Sequence, residues 1–263
     1  MSGAATISAL RDQIRRIEAP ARHGVLPFGI AAIDRALPQG GLALGAVHEI
    51  LGAGGDEEDA AAAAGFAAAI LARLGPRGDG GPVLWCLRRP DLYGPGLQAH
   101  GLDPARLALV RAPRDDDLLW AIEEGLRAPG LAAVVGEIGR LPMVAGRRLQ
   151  LAAERAGIPA LLLRRWRSGD EAAAERQRPS AAVTRWRITA LPSIDIDNEP
   201  GIGRPRWRIE LLRVRGGTPG WWDGEVADAT GHVSLSAALA DRPALPAEQS
   251  PTRLDAAAWR RTG

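Results

Sequence analysis

Hydrophobic positions along this chain fall into two rhythms that take turns. Five short apolar runs read as strands buried on both faces: Ala46-Val47-His48-Glu49-Ile50-Leu51, Val83-Leu84-Trp85-Cys86-Leu87, Leu107-Ala108-Leu109-Val110, Leu131-Ala132-Ala133-Val134-Val135 and Pro159-Ala160-Leu161-Leu162-Leu163. Between them, helices are predicted over Asp56 to Leu74, Gly94 to His100, Asp115 to Arg127 and Met143 to Ala156; in the third, Leu118-Leu119, Ile122 and Leu126 share one face. This alternation predicts an α/β fold with a largely parallel central sheet flanked by helices. Ala182 to Ala190 and Trp207 to Val214 alternate apolar with polar and predict two later antiparallel strands at one side.

The ends read differently. Ile7, Leu10, Ile14 and Ile17 recur at helical spacing among charged residues until Pro20, which predicts an amphipathic helix packed on its own domain or docked on a partner. Past Asp241 the chain is rich in Pro, Ala and small polar residues, the composition of a disordered tail. The expected organisation is an N-terminal helix and linker over 1–24, a core over 25–240 and a tail over 241–263. At 263 residues there is enough chain for one good-sized core.

Charge narrows the chemistry. All 33 basic residues are arginine, set against 31 acids, which argues against a strongly electrostatic nucleic-acid binder but allows a local patch. Only between Arg164 and Arg215 do arginines clearly outnumber acids. Without lysine there is no Schiff-base, phosphate-loop or general-base lysine. Cys86 is the single cysteine, which excludes an internal disulfide and a multi-cysteine metal site and fits a reducing cytosol. His23, His48, His100 and His232 show no ligand spacing, so neither metal nor cofactor is expected. No apolar run approaches ~20 residues and the first stretch is charged, so the expectation is a cytoplasmic protein without signal peptide or membrane span.

One segment has the layout of a known chemistry without its working residues. The strand ending at Leu51, the turn Gly52-Ala53-Gly54-Gly55 and the helix from Asp56 follow the strand–loop–helix plan of a phosphate-binding loop. Such a loop ends in Lys, which reaches the phosphates, and Ser or Thr, which holds Mg²⁺. Here Asp56-Glu57-Glu58-Asp59 fill those places. Acids at a helix N-terminus satisfy the N–H groups that phosphate would use, at ~0.3–1 kcal/mol each. A carboxylate ~5 Å from a phosphate charge costs about 3 kcal/mol at an effective dielectric near 20.

The order of elements resembles the RecA core. Leu26 to Leu51, with Ile33-Asp34, Leu37 and Gly40-Gly41-Leu42, is similar to that family's entry into its phosphate loop, and Asp91-Leu92-Tyr93 with Gly101-Leu102-Asp103 and Leu107 to the segment after its second strand. Arg185-Trp186-Arg187-Ile188-Thr189-Ala190-Leu191-Pro192-Ser193, Gly203-Arg204-Pro205-Arg206-Trp207-Arg208-Ile209-Glu210-Leu211-Leu212-Arg213 and Trp221-Trp222 resemble, more narrowly, the ImuA family of RecA-like accessory proteins from a bacterial damage-induced mutagenesis cassette. The resemblance spans nearly the whole chain apart from the tail. By it, the catalytic carboxylate after the second strand falls near Arg88 or Arg89, and the Mg²⁺-associated Asp of the third core strand falls at Gly136, with Glu137 one position late. It implies a pseudo-ATPase that serves as a noncatalytic adaptor in SOS-induced translesion synthesis. The implied partners are an ImuB-like Y-family polymerase homologue and, indirectly, an error-prone C-family polymerase, with RecA and single-stranded DNA as further contacts. Alternatives are a cell-division inhibitor resembling SulA and a weak RecA-like ATPase.

The same resemblance places Arg164-Arg165-Trp166-Arg167, Arg176 and Arg178 at the second RecA DNA-binding loop, where Arg and Trp would combine phosphate contact with base stacking. The competing reading is a solvated surface loop with Trp166 tucked into the domain. The stretch matching the first DNA loop, Gly139 to Gly146, is much shorter than in RecA. Arg213 and Arg215 fall where RecA places a basic pair that reaches nucleotide across a subunit boundary, and are expected to contact DNA or a partner, or to decorate an exposed strand face. In the tail, Leu254 and Trp259 with Arg260 and Arg261 offer an anchor to a partner, or stay idle.

Overall fold

A computed structural model describes residues 23–54, 56–74, 81–166, 168–176, 178–194, 204–226 and 230–235. The N-terminal amphipathic stretch and the tail with Leu254, Trp259, Arg260 and Arg261 lie outside them, as do Gly55, Arg167 and the side chains of Asp56, Glu57, Glu58 and Arg176.

Two short strands, Val25–Leu26 (β1) and Leu42–Ala43 (β2), pair antiparallel around a helix at Ala31–Ala36 (α1) and lead into Val47–Gly52 (β3). There follow Asp56–Ala72 (α2), Val83–Leu87 (β4), Gly94–Ala99 (α3), Leu107–Arg111 (β5), Asp115–Arg127 (α4), Ala133–Ile138 (β6) and Met143–Ala156 (α5). Ala160–Arg164 (β7), Gly169–Arg176 (α6), Thr184–Ile194 (β8), Arg204–Val214 (β9), Gly220–Glu225 (β10) and Ser234–Leu235 (β11) complete the described elements.

The main sheet runs β11-β10-β9-β8-β3-β7-β6-β4-β5, with β3 at its middle. Neighbours from β8 across β3 to β5 are parallel, and those from β8 out to β11 are antiparallel. The sequence reading makes β8 and β9 an antiparallel pair, as they are, but β8 also runs parallel to β3, and β10 and β11 extend the sheet beyond the expected edge.

Every residue of β3, β6 and β7 is buried because helices cover both faces. On one face α2 packs Phe66 and its alanines against Ile50, Trp85, Leu161 and Trp186; on the other, α4 and α5 pack Leu118, Ile122 and Leu149 against Val47, Val134 and Leu162. Phe28, Phe66, Trp186 and Trp207 form an aromatic cluster with ring centroids 5.4–6.3 Å apart. Each such fully buried ring contributes about 1.5–3 kcal/mol by leaving water. α4 starts with Asp115, Asp116 and Asp117 in its first turn and ends with Arg127, matching the helix dipole at both ends. At the far side of the sheet β5 pairs with β4 alone among the described strands, and its residues from Ala108 to Arg111 are exposed.

Candidate functional site

The turn at the head of the middle strand is held from within. At Gly52 an added Cβ would come within 2.6 Å of Asp59 Cβ, so glycine lets α2 approach the strand this closely. Asp59 is buried and turns its carboxylate back into the loop: Oδ2 accepts from Gly54 N–H at 2.5 Å, and Oδ1 from Ala190 N–H on β8 at 3.5 Å. Ala53 N–H donates to Ile188 O at 3.2 Å. Two backbone donors of the loop are therefore engaged inside the chain.

In β6, Gly136 lies under α4, where a Cβ would meet Ile122 Cδ1 at 2.2 Å. Beside it Glu137 is buried with both oxygens occupied. Oε1 accepts from Trp85 Nε1 at 2.9 Å and Oε2 from Arg165 Nη1 at 2.7 Å. Arg165 also donates to both oxygens of Asp91, at 2.9 and 2.7 Å. Desolvation works against the charged Arg165, but its bonds and charge attraction to Asp91 and Glu137 outweigh that and raise its pKa. In return the hydrogen bond from Arg165, more than any other cause, holds the Asp91 carboxyl below its ordinary value. Arg88 pairs with Asp115 at 3.0 Å and Arg89 with Asp91 at 3.6 Å. Of these groups Asp91, Glu137 and Arg165 border a cleft of about 330 Å³ between α2 and α3, which Tyr93 also lines. Both Glu137 oxygens thus face donors from within the chain, an indole N–H and a guanidinium.

The expected basic loop comes apart in the structure. Arg164, the last residue of β7, has a side chain only 3% exposed. It donates to Glu49 Oε1 at 3.3 Å, Glu175 Oε2 at 3.0 Å and Gly139 O at 2.7 Å. Glu49 is wholly buried in β3 and also accepts from Ser180 Oγ at 2.6 Å and Arg185 Nε at 2.7 Å. Burial pushes the pKa of Arg164 down, and the charges of Glu49 and Glu175 push it back. Trp166 is buried too, donating Nε1–H to Gly139 O at 3.0 Å and packing with Leu51 and Ala172. Arg164 is thus an interior residue rather than part of a basic surface loop, and Trp166 is tucked into the domain, as the competing reading has it. The strand alternation of β7 puts Arg164 on the face of Glu49, and α6, missed in the sequence, covers both. Of the remaining basic residues, Arg165 is half-buried in its two ion pairs and Arg178 is exposed, paired with Glu175 at 3.0 Å.

On the opposite face of β3, His48 is buried with Nε2 2.8 Å from Ala43 O and Nδ1 2.8 Å from Thr184 Oγ1. A carbonyl only accepts, so Nε2 carries the proton and Nδ1 accepts from the Thr184 hydroxyl, whose oxygen accepts from Trp186 Nε1 at 2.8 Å. Burial lowers the His48 pKa to about 4, and raises that of the Cys86 thiol to about 12, so both are neutral near pH 7. Among the described residues no cluster of His, Cys, Asp and Glu is placed to hold a metal ion, and no helix is long and apolar enough to cross a membrane.

Arg213 and Arg215 reach the same turn from β9 and its end. Arg213 Nη1 donates to Ser180 O at 2.5 Å and Arg215 Nη2 to Ala181 O at 3.2 Å. With Arg147 of α5 they face a cleft of about 470 Å³ floored by Met143 and Leu151.

A helix-covered, mainly parallel sheet with a glycine-rich strand-to-helix turn at its middle strand makes this an α/β protein compatible with the RecA-like class. No protein-family model matches the chain. It is 42% identical over 230 residues to Protein ImuA of Caulobacter vibrioides strain NA1000 / CB15N, a match covering 85% of this chain and 93% of that protein. The same figures hold for Protein ImuA of strain ATCC 19089 / CIP 103742 / CB 15. With that identity over most of both chains, the protein belongs to the ImuA family.

Proposed function

We propose that this chain is a noncatalytic RecA-like adaptor of SOS-induced translesion synthesis, which joins an ImuB-like Y-family polymerase homologue to an error-prone C-family polymerase. Family membership supports the mutagenesis cassette and the ImuB-like partner. The observation that carries the noncatalytic part is Asp59, whose carboxylate bonds Gly54 N–H at the place where a phosphate loop would present its amides to an anion. Phosphate would have to displace a buried negative charge with no lysine to compensate. Glu137, engaged by Trp85 and Arg165, does not supply the missing carboxylate function. RecA and single-stranded DNA are further contacts in this reading. The DNA contact rests on Arg165 and Arg178, since Arg164 and Trp166 face inward.

Titration of the full chain with Mg-ATP, read as melting temperature, is expected to show no shift. A ligand at a hundred times its dissociation constant would stabilise by about 2.7 kcal/mol, so a clear rise shows nucleotide binding and overturns the closed-loop reading. For the adaptor role, purified ImuB-like protein from the same organism is expected to be retained by the immobilised chain. Failure to retain it defeats the adaptor reading.

A further inference from the structure

Arg147, Arg213 and Arg215 differ from the interior arginines in having no carboxylate partner among the described residues. Arg213 and Arg215 each hold one carbonyl of the turn before β8, and Arg147 holds nothing among the described residues. A guanidinium has five N–H donors, so most of their bonding capacity points to solvent. Among the described residues no acid lines the cleft they share.

The cleft is stiff. Ser180, whose carbonyl fixes Arg213, is itself anchored through Oγ to buried Glu49 at 2.6 Å. Gln150 on the opposite wall is buried and accepts from Val47 N–H at 2.9 Å, tying α5 to the middle strand. Binding here would order little of the protein, which favours affinity.

The lining selects among anions. Three guanidiniums suit carboxylates, which they grip through paired bonds. Met143 and Leu151, the latter 52% exposed, offer an apolar floor to an aliphatic side chain. Among the described residues no aromatic side chain lines the cleft, so these offer bases no stacking platform. We propose that this cleft is a docking site for an acidic peptide segment with an aliphatic anchor residue, carried by a partner protein. This deepens the adaptor reading and rests on it for the partner's identity, but the cleft is testable alone.

The probe is a short fluorescein-labelled peptide of glutamate, aspartate and leucine, titrated with the full chain and read by anisotropy, with labelled oligo-dT in parallel. Saturable peptide binding is expected, weakening with salt and falling about tenfold for each of Arg147→Glu, Arg213→Glu and Arg215→Glu. Arg147→Glu breaks no contact among the described residues, so its loss of binding is not a folding effect. Peptide binding that is absent, or unchanged in Arg147→Glu, overturns the proposal. So does oligo-dT binding that is lost in the same variants while the peptide does not bind, which makes the cleft a nucleic-acid surface. Retention of ImuB-like protein by the unaltered chain and equally by the triple variant leaves the adaptor standing and removes the cleft from it. Peptide binding that the variants abolish, without retention of ImuB-like protein by any form, sustains the cleft and defeats the adaptor.

Discussion

Two groups of arginines meet at Ser180 and behave in opposite ways. On the hydroxyl side, Arg164 and Arg185 close on Glu49, and Arg164 and Arg178 on Glu175, all through contacts of 2.7–3.3 Å. On the carbonyl side, Arg213 has only a peptide oxygen. The residue type is the same, yet the first group stabilises the fold against its own desolvation and the second keeps its charge available. Arginine content alone therefore says nothing about what a surface binds; the presence of an internal counter-charge decides it.

The comparison can be broken most severely at its buried end. Glu49→Leu removes the carboxylate shared by Arg164 and Arg185, leaving Arg164 with Glu175 alone as counter-charge, and is expected to cost about 3–5 kcal/mol in urea unfolding. Adding Arg164→Met should recover part of that loss, since a buried pair replaced by apolar groups is often neutral. A loss under ~1 kcal/mol for Glu49→Leu would mean the network is not closed as described.

Acid tests the other face of the same strand. The His48 pKa falls from 6.5 unfolded to about 4 folded, so its neutral form is fully stabilising above 6.5. As pH drops from 6.5 toward 4 the unfolded chain takes up a proton that the folded one refuses, and stability falls by up to about 3 kcal/mol. Below 4 this contribution stops changing. His48→Gln should show a shallower loss across that window, measured by urea midpoints at successive pH values. Equal slopes would refute the assignment.

Smaller effects sharpen the contrast. Gly52→Ala brings a Cβ against Asp59 and is expected to cost about 1–3 kcal/mol, seen as a lower melting temperature without gain of Mg-ATP stabilisation. Arg147→Ala should change stability by no more than ~0.5 kcal/mol, as for a surface position without partners. A large destabilisation there would show that the cleft arginines also serve the fold.

How much of this was legible in the sequence depends on distance along the chain. α4 and α5 span Asp115–Arg127 and Met143–Ala156, as their apolar spacing predicts, because an amphipathic helix reports its own buried face locally. β10 went unread because Gly220-Trp221-Trp222-Asp223-Gly224-Glu225 lacks alternation; its pairing with β9, and the bond of Asp223 to Arg208 at 2.7 Å, declare it only in space. The alanines after Asp170-Glu171 are the local signal of α6, and three small residues mark no broad apolar face. Glu49 was the hardest case: a lone acid in an apolar strand is a local oddity, while Arg164, Ser180 and Arg185 lie 115, 131 and 136 positions away. The glycine-rich turn was visible as a pattern, but the inward turn of Asp59 required the approach of α2 to β3.

The outer strand β5 has a practical bearing on how this protein behaves in concentrated solution. Leu109 and Val110 are 57% and 36% exposed on a strand whose outer edge is unpaired among the described residues, and such an edge is a template for pairing with other chains. Arg111 closes that apolar run and is exposed, and a charge at such a flank acts as a gatekeeper that slows strand-by-strand aggregation, whereas Arg106 turns inward to the Leu71 carbonyl. At this edge the charge of Arg111 therefore works by repelling a second strand rather than by binding a partner.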